Sequence, residues 1–391
     1  MNSPIYNIVV LDISCFEGMA TSKRVRNLIM PLISKNLVNA NNLIFKEQVR
    51  EQITGYGKID NINYKLIGYK LTNIFTVFGF YLRGFIFLKK SKQSNHKNII
   101  YNYGGPNIQN ILFLIYGRLI GYKIICDITE DIRHEFKESF INRIKAKSSL
   151  LLLRYLKYFA DSLIGISEHL VKRLLILSEN KIPVFLIPIS VNLDYFNNNS
   201  FTQDYEDLKI FYGGSFNEKD GLEYLIGAFD EVTKKHMNVK LVITGIGIKS
   251  DMERVNNLIN KSINRDKILY KGFLSTNNYY TLLNECDIFC MTRINSNHAN
   301  TGFPFKLGEF LASGKAVIAT NVGDVPKYLT NDLNALLIEP NSVQQLADAL
   351  SSLIENPDKI RAIGIEGRKT AECFFDSEKV SMKFYSILQS V

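Results

Sequence analysis

A lysine and a glutamate three residues apart are the residues whose types and spacing most directly suggest chemistry. Lys306 and Glu309 lie in the stretch NTGFPFKLGEFLASGKAVIATNVGD, residues 300–324. This spacing places both side chains on one face of a helix. A helix N-terminus and a lysine both attract phosphate, and a carboxylate one turn later can accept hydrogen bonds from sugar hydroxyls. The pair therefore predicts a nucleotide-sugar pocket, and an ordinary surface Lys–Glu pair is the structural alternative.

The segment around this pair predicts a loop, a helix and a strand in succession. Thr301 and Gly302 are expected in the loop, and Pro304 at the first helical position, where its fixed φ suits a helix. Gly314 is expected to end the helix, since glycine adopts the left-handed conformation of a C-cap. The apolar run AVIAT, residues 316–320, then predicts a buried parallel strand.

This segment resembles the donor-site segment of the family 4 (group 1) retaining glycosyltransferases, which have the GT-B fold. One branch of that family carries a Phe-Pro-x-Lys-Leu-x-Glu pattern, and this chain has it in full. Where other members carry an additional glutamate earlier in the segment, this chain has Thr301. The resemblance implies that Lys306 and Glu309 serve catalysis, and it implies donor binding by Thr301, Gly302, Phe303, Pro304, Phe305 and Leu307.

Glycine-containing turns in the second half of the chain extend the predicted donor site. Gly214 follows a predicted strand and lets the backbone approach a ligand closely. In the family, a Gly-Arg-x4-Lys-Gly pattern at this turn holds the diphosphate. This chain has Ser215 and Asp220 at the two basic positions, with Lys219 one residue before Asp220. The diphosphate would be neutralised either by Lys219, through a shifted loop, or mainly by Lys306.

The resemblance implies donor-side roles for two later turns as well. The Gly-x-Gly turn at Gly245 would border the donor, and backbone groups of Phe273 and Leu274 would read the base. No G-x-G-x-x-G follows the first predicted strand, so a dehydrogenase-like dinucleotide binder is not favoured. No GK[ST] follows a glycine-rich turn, which excludes a Walker P-loop.

The first predicted strand, YNIVVLDIS, leads into a turn at Gly18 and then a helix that Thr21 or Ser22 can cap. This turn lies at the carboxyl edge of a predicted sheet, where open α/β folds bind ligands. Three basic residues at the mouth of the helix predict either anion contact or an ordinary solvated face: Lys23, Arg24 and Arg26.

Acidic residues after another predicted strand form a second candidate cluster. Asp127, Glu130 and Asp131 could orient an acceptor hydroxyl, and Glu130 could act as a catalytic base. Cys126 stands where the family often has a histidine, so the resemblance assigns no catalytic histidine to this position. His134, a few residues later, is a further candidate for the ligand site. On the acceptor side, the resemblance implies roles for Gly18, Met19, Arg24 and Asp127.

Residues 71–88 are unusually aromatic, and Lys89, Lys90, Lys92 and Lys97 follow them. One interpretation is a core helix of the first domain. The other is an interfacial helix that presses its aromatic rings into a bilayer and its lysines against anionic headgroups. Arg83 and two glycines interrupt the segment and argue against a membrane span.

Length and composition limit the class of protein. The chain has 391 residues, 46% hydrophobic and 22% charged, as expected for two globular α/β domains. Its net charge, 47 − 38 = +9, is scattered without a basic run, which argues against a nucleic-acid partner. The five cysteines contain no C-x-x-C, so we expect buried free thiols in a reducing compartment and no metal site. Neither a signal peptide nor a transmembrane segment is predicted.

Alternating strands and helices predict two doubly wound, Rossmann-like α/β domains facing each other across a cleft, the GT-B arrangement. We expect an acceptor-binding domain over residues 1–191, a linker near 192–207 and a donor-binding domain over 208–373. The C-terminal helix, residues 374–391, is expected to cross back to the first domain.

The predicted function is transfer of a hexosyl group from a nucleotide-diphosphate sugar to a hydroxyl of a saccharide or lipid-linked saccharide, in cell-surface polysaccharide synthesis. Retention of configuration is implied by the resemblance alone. With no Asp-x-Asp to hold a cation, we expect no metal and no cofactor beyond the donor. The protein is expected in the cytoplasm, at the inner face of the plasma membrane. Because of Thr301, Ser215 and Asp220, a non-catalytic sugar-nucleotide-binding subunit stays an alternative.

Overall fold

The computed structural model describes residues 6–12, 20–45, 55–59, 61–68, 73–131, 140–196 and 208–391, with the backbone alone for 140–146. The chain divides into two compact units. Unit 1 comprises Met1–Pro188 and Ser377–Val391, and unit 2 comprises Ile189–Asp376. The predictions at Cys15, Gly18, Met19 and His134, and for residues 197–207 of the linker, lie outside the described residues.

The described residues of unit 1 form an eight-stranded sheet in the order β3-β4-β2-β1-β5-β6-β7-β8. All of its strand pairs are parallel except β3 with β4, which form an antiparallel edge. The parallel strands are rich in buried apolar residues, as expected when helices cover both faces of a sheet. The strands are β1 Tyr6–Leu11, β2 Val38–Ile44, β3 Tyr56–Ile59, β4 Ile62–Leu66, β5 Lys97–Tyr103, β6 Lys123–Ile128, β7 Ser162–Gly165 and β8 Val184–Leu186.

The helices of unit 1 connect these strands in the manner of a doubly wound fold. They are α1 Ala20–Ser34, α2 Ile74–Ser91, α3 Ile111–Leu119, α4 Phe140–Arg154, α5 Leu156–Phe159 and α6 Glu168–Leu177. The expected cap of α1 is wrong, because the helix already includes Ala20 and therefore contains both Thr21 and Ser22. The chain's last helix, Ser377–Ser390, also belongs to this unit and packs on α1.

Unit 2 contains a six-stranded, all-parallel sheet in the order β11-β10-β9-β12-β13-β14. The chain builds outward from β9 to β11, then returns and builds in the opposite direction from β12. This reversal places a topological switch point between β9 and β12, where open α/β sheets bind ligands. The strands are β9 Leu208–Ser215, β10 Val239–Ile246, β11 Ile268–Tyr270, β12 Ile288–Met291, β13 Ala316–Thr320 and β14 Leu336–Ile338.

The helices of unit 2 cover both faces of this sheet, and the predicted doubly wound fold is confirmed for both units. The helices of unit 2 are α7 Leu222–Val232, α8 Lys249–Lys261, α9 Thr276–Asn284, α10 Asn297–Thr301, α11 Phe305–Ala312, α12 Val343–Ile354 and α13 Pro357–Phe374, and the helix Ser377–Ser390 of unit 1 is α14. A backbone hydrogen bond of 2.7 Å from Val191 to Phe375 joins the two ends of unit 2.

The cysteines only partly match the expectation of buried thiols. Cys126, Cys286 and Cys290 are free and buried, and burial raises the pKa of Cys126 and of Cys286 to about 12. Cys373 is free but exposed, so the expectation is wrong for this residue. Its position near the end of α13 leaves its side chain outside the core.

Candidate functional site

The Lys306–Glu309 segment has the predicted helix and strand with two corrections at the start. Thr301 is not in a loop, because it ends α10, and Gly302 is the C-cap of that short helix. Pro304 is the N-cap of α11, one position earlier than expected, and the helix begins at Phe305. Gly314 has a φ of +71° just after the helix, so its predicted role as a helix stop is confirmed.

Glu309 is a buried acidic side chain with two tyrosine partners. It is 2% exposed, and its two carboxylate oxygens accept hydrogen bonds of 3.0 and 3.1 Å from the hydroxyls of Tyr279 and Tyr280 on α9. Burial, followed by the Glu309 charge, raises the pKa of Tyr279 well above its usual value, so its hydroxyl remains a donor at neutral pH. The sequence analysis missed both tyrosines, whose only signal in the sequence was the adjacent Tyr-Tyr pair.

Lys306 lies on the same side of α11 as the tyrosine pair. Its Nζ is 4.4 Å from the centre of the Tyr279 ring, a cation–π distance, and the side chain is partly exposed. Tyr280 in turn stacks on the half-exposed ring of Tyr195, with centroids 4.2 Å apart. Around Glu309 and Lys306, unit 2 thus holds a cation, a carboxylate and aromatic rings. The other residues of the predicted pattern, Phe303, Pro304 and Leu307, are buried.

The glycine turns that the sequence placed on the donor side lie side by side in the sheet. Gly214 on β9 is paired with Gly245 on β10, and a Cβ on Gly245 would come within 1.8 Å of the Gly214 carbonyl oxygen. The Gly245 N–H donates to the Gly272 carbonyl oxygen at 3.0 Å. This bond places the turn before Phe273 and Leu274 next to Gly245. The carboxyl edge of the sheet therefore presents closely spaced backbone with few side chains.

Asp220 is not positioned to face open solvent. It is 8% exposed, and its Oδ2 accepts a 2.5 Å hydrogen bond from the hydroxyl of Ser215. Arg293, two residues after β12, lies 3.8 Å from its Oδ1. The Nζ of Lys219 lies 3.2 Å from the Nε2 of His298 on α10. The sequence analysis did not consider Arg293 or His298, although Arg293 follows a strand at the ligand-binding edge.

In unit 1, Arg24 and Asp127 are not in the exposed positions that the sequence predicted, at the mouth of α1 and after a strand. Both side chains are fully buried, and Asp127 lies within β6 rather than after it. The guanidinium donates to the two Asp127 oxygens at 2.7 and 3.0 Å and to the carbonyl oxygens of Pro188 and Ile187. Tyr101 also donates to Asp127. These groups satisfy one another inside the unit, so they make an internal ion pair and not an exposed acceptor contact.

The Arg24–Asp127 ion pair shifts the pKa values of the side chains around it. Burial alone would lower the pKa of Arg24, but the Asp127 carboxylate opposes this effect and the net shift is upward. Burial and Asp127 together raise the pKa of Tyr101 well above its usual value. Of the other acidic residues expected here, Asp131 pairs with Arg173 and is buried, whereas Glu130 is exposed. Glu130 therefore stays a candidate.

Within the residues that the structure describes, no group of three histidine, cysteine or acidic side chains could hold a metal ion. The same residues include no helix that is both long and apolar enough to cross a membrane.

The second half of the chain is similar to known glycosyltransferases. Residues 196–370 match the family model "Glycosyl transferases group 1". The chain is 23% identical over 186 residues to the putative colanic acid biosynthesis glycosyltransferase WcaL of Escherichia coli, covering 47% of this chain and 45% of that protein. It is 24% identical over 240 residues to the capsular polysaccharide biosynthesis glycosyltransferase CapM of Staphylococcus aureus, covering 58% of this chain and 61% of that protein.

These alignments span about half the length of the curated relatives. Among solved structures, HepE of Anabaena in complex with UDP-glucose superposes with a TM-score of 0.74 at 15% identity, over 98% of this chain and 100% of that one. This likeness shows the GT-B fold. The resemblance to group 1 glycosyltransferases that the sequence predicted is confirmed, while retention of configuration and the individual site residues stay predictions.

Proposed function

We propose that this chain transfers a hexosyl group from a nucleotide-diphosphate sugar, and the match of residues 196–370 to the group 1 glycosyltransferase model supports this. The observation that carries the proposal is the arrangement in unit 2 of Lys306 and Glu309 on α11. There a cation and a buried carboxylate lie one turn apart at the start of the helix, and the switch-point edge of the same sheet carries the close-packed glycine turns.

Each part of this arrangement has a chemical role in the proposal. The N–H groups at the start of α11 and the Lys306 ammonium neutralise the leaving diphosphate. Glu309, held by two tyrosine hydroxyls, accepts hydrogen bonds from sugar hydroxyls of the donor, since a carboxylate can accept about four. The backbone at Gly214, Gly245 and Phe273–Leu274 borders the nucleotide. The UDP-glucose bound in the HepE structure supports this donor class.

We propose that the reaction retains configuration and that the acceptor is a saccharide or lipid-linked saccharide of a cell-surface polysaccharide. The names of WcaL and CapM, which refer to colanic acid and capsular polysaccharide, support this acceptor class. Glu130 on unit 1 is proposed as an acceptor-side base, because it is exposed just after β6. A non-catalytic sugar-nucleotide-binding subunit is the alternative, favoured by Ser215 and Asp220 in place of basic residues.

Turnover in the presence of EDTA tests both the activity and its independence of metal. The full chain is incubated with UDP-, GDP- and ADP-sugars, with and without chelator, and released nucleoside diphosphate is measured. We expect one donor to be turned over equally in EDTA, because protein cations neutralise the diphosphate. A complete and reversible loss on chelation would contradict metal independence. Binding of a donor without any turnover would favour the non-catalytic subunit.

Of the two lysines, Lys306 is proposed as the main contact of the diphosphate, with Lys219 as its rival. Lys306 lies at the start of an eight-residue helix, whereas Lys219 is in a short turn next to Asp220. Lys306→Ala is expected to weaken nucleoside diphosphate binding about fivefold, corresponding to a helix-end charge of about 1 kcal/mol. Lys219→Ala should weaken it less, and neither should change nucleoside binding. Calorimetry decides the order, and a larger loss at Lys219 would favour the shifted-loop interpretation.

We further propose that α2 and α3 bring the protein to an anionic membrane. One face of α2, with Phe80, Gly84 and Leu88, is buried. On its opposite face, residues at four-residue spacing are exposed: Ile74, Phe78, Leu82 and Ile86, with Phe75 beside them at 81% exposure. The neighbouring α3 exposes Leu112, Ile115 and Leu119. The core-helix and interfacial interpretations therefore each describe one face of α2.

Basic residues at the end of α2 supply the matching charge. Lys89 and Lys90 are exposed in its last turn, and lysines near an anionic surface contribute about 1 kcal/mol each. We call the exposed apolar residues of α2 and α3, with these two lysines, the α2–α3 surface.

Liposome flotation tests the α2–α3 surface. The protein should float with vesicles containing anionic lipid at low salt, and high salt should release part of it, because salt screens the lysines. Phe75→Ser with Phe78→Ser should abolish flotation. Ile248→Ser with Ile263→Ser, at two exposed apolar positions of unit 2, is the matched control and should float normally. Equal flotation of the two double variants would contradict the proposal.

A further inference from the structure

Arg293 lies at the ligand-binding edge of the sheet in unit 2. It follows β12 by two residues, and β12 is the neighbour of β9 across the switch point of the sheet. Ligands of open α/β sheets bind outside the carboxyl ends of the strands at such a point. Ser215, the last residue of β9, therefore lies on one side of this crevice and Arg293 on the other.

The backbone around Arg293 is fixed to the turn that follows β9. Thr292 donates its hydroxyl to the Asp220 carbonyl oxygen at 2.8 Å, and the Ile294 N–H donates to the Lys219 carbonyl oxygen at 3.0 Å. A Cβ on Gly221, whose φ is +66°, would lie 2.2 Å from the Thr292 carbonyl oxygen. The two segments are thus in tight contact, and Arg293 is held in place relative to Ser215 and Asp220.

Asp220 balances the charge of the Arg293 guanidinium without accepting a hydrogen bond from it. Its side chain is 14% exposed, and the nearest Asp220 oxygen is 3.8 Å from Nε, beyond hydrogen-bond distance. The other Asp220 oxygen accepts from Ser215. Among the residues that the structure describes, none accepts a hydrogen bond from this guanidinium, which has five N–H donors. Polar groups that are this deeply buried normally have hydrogen-bond partners. A ligand rich in oxygen acceptors would therefore suit the Arg293 guanidinium.

We propose that Arg293, placed at the switch point and held opposite Ser215 by Asp220, binds the diphosphate of the donor. A diphosphate suits this position, since a guanidinium donates two parallel hydrogen bonds to phosphate oxygens. Asp220 acts as a positioning residue, which attracts the guanidinium by charge while its own second oxygen is occupied by Ser215. The inference rests on the proposed function and adds a guanidinium to the lysines and the helix end of the proposed site.

Calorimetry on the full chain tests this role with UDP, GDP and ADP as probes, each compared with its nucleoside. Arg293→Gln should weaken binding of the preferred diphosphate by at least about tenfold, because a hydrogen bond to a charged group is lost. It should leave nucleoside binding within about twofold, and Arg293→Lys should recover only part of the loss. Arg368→Gln, on α13 of the same unit and 22% exposed, is the matched control and should bind like the wild type.

A second variant separates ligand binding from charge compensation of Asp220. If Arg293 served only to neutralise Asp220, the double variant Arg293→Gln with Asp220→Asn would bind diphosphate as tightly as Asp220→Asn alone. We expect the double variant to regain thermal stability but to bind at least about fivefold more weakly than Asp220→Asn. Equal binding by these two variants would overturn the inference.

The same titrations separate this inference from the proposed function. If the wild type binds none of the three diphosphates, the proposed donor site itself is refuted, and the inference falls with it. If the wild type binds one of them and Arg293→Gln binds it equally well, the role of Arg293 alone is refuted.

Discussion

Asp127→Asn is expected to lower the free energy of unfolding of unit 1 by about 3–5 kcal/mol, the usual cost of leaving one member of a buried ion pair without its partner. Arg24 would keep its carbonyl contacts to Ile187 and Pro188 but lose the carboxylate that balances its charge. Both side chains are fully buried, so water cannot replace the lost partner.

Urea unfolding followed by circular dichroism measures this loss, since the chain has no tryptophan for fluorescence. Asp161→Asn is the matched control in the same unit, because its partners Arg118 and Lys123 are about half exposed. An ion pair with such partners is worth about 1 kcal/mol or less.

The double variant Arg24→Met with Asp127→Leu should unfold at higher urea than Asp127→Asn, because it leaves no buried charge behind. A single variant as stable as the control would show that the Arg24–Asp127 pair is open to water in solution.

Glu309→Gln is expected to lower transferase activity by about tenfold to a hundredfold, since hydrogen bonds to a charged group contribute about 1.5–3 kcal/mol. The substitution preserves the shape of the side chain but removes its charge and one acceptor oxygen. The Tyr279 and Tyr280 hydroxyls donate to the two carboxylate oxygens of Glu309, and an amide can accept from only one of them in the same way. The sugar hydroxyls of the donor would then meet a neutral and misoriented group.

Initial rates with the preferred donor give this effect, and thermal unfolding establishes that the variant is folded. Glu366→Gln, at a solvent-accessible position of α13 paired with Lys369, is the control and should retain full activity. Tyr280→Phe should have an intermediate effect, because it removes one donor that orients Glu309 but leaves the carboxylate. Wild-type kinetics in Glu309→Gln would remove this residue from the proposed catalytic site.

The sequence by itself determined those features that depend on neighbouring residues. The helix at Lys306 and Glu309, its end at Gly314 and the strand of residues 316–320 follow from spacing and backbone preference within a few residues. The alternation of such elements along the chain is enough to indicate two doubly wound α/β units. The family resemblance rests on the same short segments and is confirmed over residues 196–370.

Only the tertiary structure decided which distant side chains meet. Arg24 and Asp127 are far apart in sequence and come together because α1 packs over a sheet in which β1 and β6 are separated only by β5. Arg293 lies opposite Ser215 because the strand order places β12 beside β9. Strand order and helix docking depend on the packing of whole elements, which local spacing does not encode. For the same physical reason, the sequence could not reveal that α2 buries one apolar face and exposes the other.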